Sequence, residues 1–298
     1  MQNEVNSTGS GGEVFSSLIV ATPFDSLDWP GWLGLINWEE ALRVRALTRG
    51  LLGAAGFLVI WELFGRSGLV PQEYLPPPSV VAVELLALLG DETFLRDVVA
   101  TVLALLISVL LSVGIAVPAG LVLGSVAPVR HATRAVVEFL RPIPSVALIP
   151  LAIVVLGLGP EMKIALAVYA AVWPILFNTI YALDELDPLL VDTARVFGAS
   201  RLRVLLSVAL PSALPFVFTG IRLSATTCLV VLVSVEMLAG GAAGIGEFVM
   251  DARSGAGRMD LVLAGTVVAG VLGYLVNEGL ERAQRRWVGW GFVQGGRS

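Results

Sequence analysis

DPLLVDTARVFGASRLRVLLSVALPSALP, residues 187–215, is a polar interruption between two long apolar stretches of the chain. It carries Arg195, Arg201 and Arg203, small side chains such as Ala194, and a glycine at 198. Gly198 permits a sharp turn at a helix end. Pro211 and Pro215 then punctuate entry into the next apolar stretch. The segment reads as a short helix and turn lying on one face of whatever the flanking stretches are embedded in. Asp192 is expected near the start of that helix, where the positive end of the dipole favours a carboxylate.

The composition says what those stretches are embedded in. Hydrophobic types make up 56% of the 298 residues and charged types 14%, with a mean hydropathy of +0.84. A water-soluble domain carries about 25% charged residues, so the solvent here is a bilayer. A net charge of −5 leaves no basic surface for nucleic acid. One cysteine, Cys228, rules out a disulfide framework, and it reads as an apolar packing residue. One histidine, His131, in a basic loop, leaves little for a metal centre or a histidine-based triad.

Spans of about 20 apolar residues are expected at 46–64, 98–127, 135–158, 164–183, 213–239 and 261–276. The third contains Pro142, Pro144 and Pro150 and must be kinked or discontinuous. Alternate connectors carry Arg43, Arg45 and Arg49; Arg130, Arg134 and Arg141; Arg195, Arg201 and Arg203; and Arg282, Arg285, Arg286 and Arg297. The opposite set carries only Arg66, Arg96, Lys163, Arg253 and Arg258, with Lys163 placed in an outer loop. The excess of basic residues on one side predicts six spans with both termini cytoplasmic, and puts residues 187–215 inside. The first 45 residues begin as a tail without the basic start of a secretory signal. Trp29, Trp32 and Trp38, followed by arginines, then read either as an interfacial helix or as a loosely ordered tail. The expected organisation is a tail at 1–45, a first span and outer connector at 46–97, a core at 98–285 and a cytoplasmic tail at 286–298.

The register Asp192-Thr193-Ala194, Gly198, Val208, Leu210-Pro211 resembles the E-A-A-x3-G-x9-I-x-L-P loop of ABC importer permeases. Asp stands for Glu, Thr for the first Ala and Val for Ile. YLPPPSVV (74–81), RPIPSVALIPLAIVVLGLG (141–159), WPILFNT (173–179) and LPSALPFVFTGIRL (210–223) resemble the nitrate, sulfonate and taurine branch of that family. So does Glu236 followed by Gly244-Ile245-Gly246 and Ala252-Arg253, although the spacing from Glu236 to Gly244 is one residue longer. The likeness covers about residues 46–290.

The resemblance implies an all-α membrane fold of the type I ABC importer kind, in a prokaryotic inner membrane. It implies a homodimeric permease, an extracytoplasmic binding protein on the outer loops, and a separate ATPase that docks on residues 192–211 and holds the ATP and magnesium. The solute it implies is a small anion such as a sulfonate, taurine or nitrate. No G-x4-G-K-[ST] phosphate loop occurs, so the chain itself is expected to do no catalysis. The rival reading is a secondary transporter driven by an ion gradient, which would want broken inverted repeats and midplane acids. An integral membrane enzyme would need a cluster of His, Asp or Cys at a membrane face.

Charges within spans usually face a cavity or a partner. Arg222 and Glu236 are therefore candidates for the translocation path or gate, although 14 residues of helix hold them about 21 Å apart. The plainer reading has Arg222 snorkelling inward and Glu236 near the outer interface. Asn178, beside Thr179, either lines the path or makes a hydrogen bond between helices. Gly120 and Gly124 form a G-x3-G for close packing, and the glycines at 240, 241, 244 and 246 read as a flexible outer turn.

Overall fold

A computed structural model describes residues 38–241 and 243–288. The tail readings for residues 1–37 and for the end of the chain lie outside them. By their contacts, residues 1–59 and 60–298 form separate units. The described part of the first is the opening of α1 (Trp38–Arg66), an apolar helix whose Leu51, Leu52 and Phe57 are exposed.

The second unit continues from the end of α1 into α2 (Pro78–Leu88), α3 (Glu92–Ser125), α4 (Ala127–Leu140), α5 (Ile149–Leu156), α6 (Pro160–Asp184), α7 (Pro188–Val196), α8 (Arg201–Val204), α9 (Leu210–Ala239), α10 (Ile245–Ala256) and α11 (Met259–Trp287). Among the described residues, five helical segments are long and apolar enough to cross a bilayer, and the bent pair Pro128–Leu140 and Ser145–Leu156 makes a sixth if it crosses as one span. That pair turns by 80°. Pro142, Pro144 and Pro150 withhold three backbone donors over nine residues, so no straight helix can run through them. Tyr169 Oη donates to Leu140 O, which also accepts from Ile143 N at 3.2 Å across the break, and Arg141 lies 4.4 Å from the Phe177 ring centre.

Helix directions follow from matched contacts. Thr101 and Lys163 meet near the starts of α3 and α6, and Gly120 and Gly124 of α3 face Thr179 and Leu183 near the end of α6. These two spans are therefore parallel. α9 runs against them, with Ser224 over Ala171 and Glu236 beside Lys163. α11 runs back again, with Asn277 beside Arg222 and Gln284 beside Pro215. One end of the bundle thus gathers α7 and the end of α11, and the other gathers α10 and the starts of α3, α6 and α11. α3 is capped there by Asp91, whose Oδ1 accepts from the amides of Thr93 and Phe94 at 2.7 and 3.2 Å. The Phe94 and Thr93 amides hold its carboxyl below the usual carboxylate range.

The centre is α3, α6 and α9. Leu105, Met162, Ala167, Ala171, Cys228 and Leu232 are buried together there, so Cys228 is the packing residue expected. Small residues set the spacing. A Cβ on Gly220 would lie 2.9 Å from Ile175 Cα and 3.0 Å from Pro174 O, so α9 crosses α6 at backbone contact. A Cβ on Gly120 would lie 2.6 Å from Thr179 Cβ. The G-x3-G expected to pack helices does so within the chain. Asn178 and Thr179 differ from expectation: each bonds the carbonyl four residues back in its own helix, Pro174 O and Ile175 O, rather than a neighbouring helix.

Two helices escaped the sequence reading. α2 has only eleven residues and α10 twelve, each too short for a span. α10 packs Phe248 edge-on to Phe94 at 4.7 Å and Val249 under Gly265 of α11.

The packing makes a contrast testable. Gly220→Ala must push α6 and α9 apart, at roughly 1–3 kcal/mol. Gly114, also mid-helix, has nothing within 4 Å of an added Cβ. Thermal melting of the detergent-solubilised protein should fall for Gly220→Ala and not for Gly114→Ala; equal melting points would refute the backbone contact.

Candidate coupling loop and polar clusters

Asp187 opens α7: its Oδ1 accepts from Leu189 N at 2.9 Å, and Pro188 follows at the first helical position. The helix therefore starts four residues before Asp192. This corrects the expected placement, because Asp187 is the carboxylate at the positive end, and Asp192 sits mid-helix, 3.4 Å from Arg195. Sequence reasoning passed over Asp187 because it lies ahead of the Asp192–Pro211 motif, although an Asp just before a proline is an ordinary cap signal.

The helix ends on Gly198, whose φ of 78° is left-handed. Ala199 N donates to Ala194 O at 3.0 Å and Gly198 N to Arg195 O at 2.9 Å, the paired bonds that close a helix end around such a glycine. Ser200 then caps α8, accepting from Arg203 N. A π turn, Leu205–Ala209, joins α8 to α9. Leu210 N reaches back to Leu205 O just before Pro211, which has no N–H to give. Val208 lies in this turn, and Pro211 within the first turn of α9. Val204 and Ala209 are buried and anchor the segment.

α7 buries none of its own side chains. Thr193 is exposed and Ala194 half-buried. At its end Val196 and Phe197 are 85% and 86% exposed, beside the charged Asp192, Arg195, Arg201 and Arg203. Bare apolar side chains on a polar rim mark a contact surface, for another protein or for the membrane.

Arg222 does not run free to an interface. Its Nε donates to Asn277 Oδ1 at 2.7 Å and its guanidinium pairs with Glu281 at 2.9 Å, while Arg285 also bonds Glu281. Arg222, Glu281 and Arg285, with Thr219 and Gln284, line a cavity of about 460 Å³ between α9 and α11. The sequence reading stopped the sixth span at Val276, which hid the partners. Asn277, Glu281 and Gln284, spaced by four and three, form one polar stripe on a helix that continues to Trp287.

Glu236 is fully buried. Its Oε1 lies 2.7 Å from Lys163 Nζ, Thr101 Oγ1 donates at 3.0 Å, and Gly246 N donates to Oε2 at 3.1 Å. Lys163 Nζ also reaches Ala243 O at 2.7 Å, and Ile245 N donates to Thr101 Oγ1. The expectation that Lys163 stands in an outer loop is overturned: it lies in the first turn of α6 and is buried. An apolar stretch beginning at Ile164 suggested a boundary there, but the helix starts at Pro160, and the charge turns inward because a carboxylate waits for it. Arg222 and Glu236 belong to two separate clusters, the first partway along α9 and the second near its end. Gly244 and Gly246 form a packed turn over Glu236 rather than a loose one, since a Cβ on Gly244 would fall 2.2 Å from the carboxyl carbon.

Residues 116–286 match the family described as binding-protein-dependent transport system inner membrane component. The taurine transport system permease protein of Escherichia coli is 30% identical over 260 residues, covering 86% of this chain and 94% of that one. The chain belongs to this family. The bicarbonate transport system permease of Synechococcus elongatus is 29% identical over 86% of this chain and 93% of its own. Among solved structures, the inward-facing methionine ABC transporter superposes with a TM-score of 0.58 at 23% identity, over 65% of this chain and 95% of that one. A bacterial ABC importer of alginate gives 0.56 at 17%, over 84% and 98%. At those identities the structures show the fold, that of an ABC importer transmembrane domain.

The protein is thus an inner-membrane, multi-pass permease subunit of an ABC importer. It is not an enzyme; ATP hydrolysis in such importers belongs to the partner ATPase. Membership replaces the ion-gradient reading.

The buried pair carries a prediction. Glu236→Ala alone strands the Lys163 ammonium, which should cost about 3–5 kcal/mol. Replacing both, Lys163→Met with Glu236→Gln, should restore most of the loss in thermal melting. A single variant as stable as the wild type would show that the charges are not paired.

Proposed function

We propose that residues 192–211 are the surface through which a separate ATPase drives this permease, and that the solute it admits is a small anion. The observation that carries the first part is α7 itself: a capped, glycine-terminated helix that hides nothing of its own and presents Val196 and Phe197 bare. Asp192, Thr193, Ala194 and Gly198 build that helix and its turn. Val208, Leu210 and Pro211 tie the turn to α9, which reaches the far end of the bundle. A push on α7 is therefore a push on one of the three central spans. ATP and magnesium sit on the ATPase, and this chain supplies the lever.

The side assignment is supported by the basic residues. Arg130, Arg195, Arg201, Arg203 and Arg282 gather at the α7 end, which the positive-inside tendency puts in the cytoplasm together with both termini. The opposite end then faces the binding protein. Gln72, Tyr74, Val80, Arg253, Arg258 and Met259 line a groove of about 720 Å³ there, within the connectors expected to receive it. Two copies of the chain would enclose the path. The anionic solute is supported by relatives whose names specify taurine, bicarbonate and aliphatic sulfonates. Arg222, Asn178 and Glu236 remain the path or gate candidates, and Arg222 lines a cavity between α9 and α11.

Gly198→Val tests the lever. A β-branched residue is strained at φ 78°, so the end of α7 must reshape while the spans are untouched. The variant should insert and purify normally, and uptake into cells should be lost. Normal uptake by a normally inserted variant would refute coupling through this loop.

A further inference from the structure

α10 starts without a cap of its own. Gly244 has no side chain to offer, and the first free amides of the helix are satisfied by other helices: Ile245 N by Thr101 of α3, Gly246 N by Glu236 of α9. Lys163 of α6 completes the knot, binding the same carboxylate and the carbonyl of Ala243 just before α10. A buried ion pair is a poor choice for stability alone, because apolar residues of equal volume hold a core as well or better. What the pair adds is direction. One carboxylate with bonds to three different elements permits only one placement of α10 on the ends of α3, α6 and α9.

The glycines support this reading. Gly244 has a φ of 166°, which any residue adopts, so its backbone does not require glycine. The carboxylate does, since a methyl group there would overlap it. Gly246 is pinned in the same way, 2.3 Å from Val233 O for an added Cβ. The other end of α10 carries Arg253, in the groove at the outer mouth.

We propose that Thr101, Lys163 and Glu236 act as positioning residues, a clamp that makes α10 rigid with the three central spans so that the binding protein's contact at the outer mouth is relayed into them. This rests on the reading that the binding protein docks at the α10 end.

The test uses the complete importer in proteoliposomes, with its binding protein and with taurine, then bicarbonate, as probe solutes. The variants are Lys163→Met with Glu236→Gln, which leaves no orphan charge, and Gly244→Ala, which displaces the carboxylate without removing it. Both should assemble, and the ratio of binding-protein-stimulated to basal ATPase should fall at least about fivefold, the low end of an ordinary coupling energy. Stimulated and basal rates falling in proportion, or failure of both variants to assemble, would mean a merely structural pair and overturn the relay. So would undiminished stimulation in an assembled variant. A wild-type importer whose ATPase ignores the binding protein would instead overturn the docking reading, and the relay with it.

Discussion

In hydrocarbon, two helices gain little by hiding apolar side chains from each other, because lipid tails serve those side chains equally well. What holds spans together is close van der Waals contact, and that needs small residues at the crossings. Gly120, Gly124 and Gly220 supply it, bringing the backbones of α3 and α9 onto α6. The rest of the bundle hangs on this triple contact. It aligns α3 with α6 in parallel and sets α9 against them. It brings Thr101, Lys163 and Glu236 together at one end, and it leaves α7 and the π turn projecting at the other.

The two ends of α9 have opposite characters. At the α10 end the polar groups are buried and fully engaged, a charge pair with Thr101 and two backbone amides around it. At the α7 end they are exposed, and the apolar side chains beside them are uncovered. The proposed coupling gives the two ends different tasks: a rigid mouth where a loaded partner arrives, and an open surface where another partner pushes. Arg222, held by Asn277 and Glu281, lies between these extremes at a polar cleft between α9 and α11.

Much of this was legible in the residues. Apolar runs located the spans because the bilayer demands about 20 such residues in a row. The proline-broken third span was plain from Pro142, Pro144 and Pro150, and Gly198 announced its turn because few other residues tolerate it. The failures have a common cause. Hydropathy reads a charge as the end of a span, so it stopped one span at Val276 and began another at Ile164. In both places the helix continues, and the charge is satisfied by a partner distant in sequence: Glu281 by Arg222, Lys163 by Glu236. A buried pair 73 residues apart leaves no local trace. α2 and α10 were missed because neither is long enough to span, and Asp192 was placed too early because the capping carboxylate, Asp187, lay outside the motif that drew attention.

The central claim is that force enters through the bare end of α7. A photo-crosslinking amino acid at Phe197, in the assembled importer in native membranes, tests it most directly. The account predicts a crosslink to the ATPase subunit whose yield changes between the nucleotide-free and ATP-bound states. Crosslinks only to lipid or to the binding protein, in an importer that still transports, would contradict it.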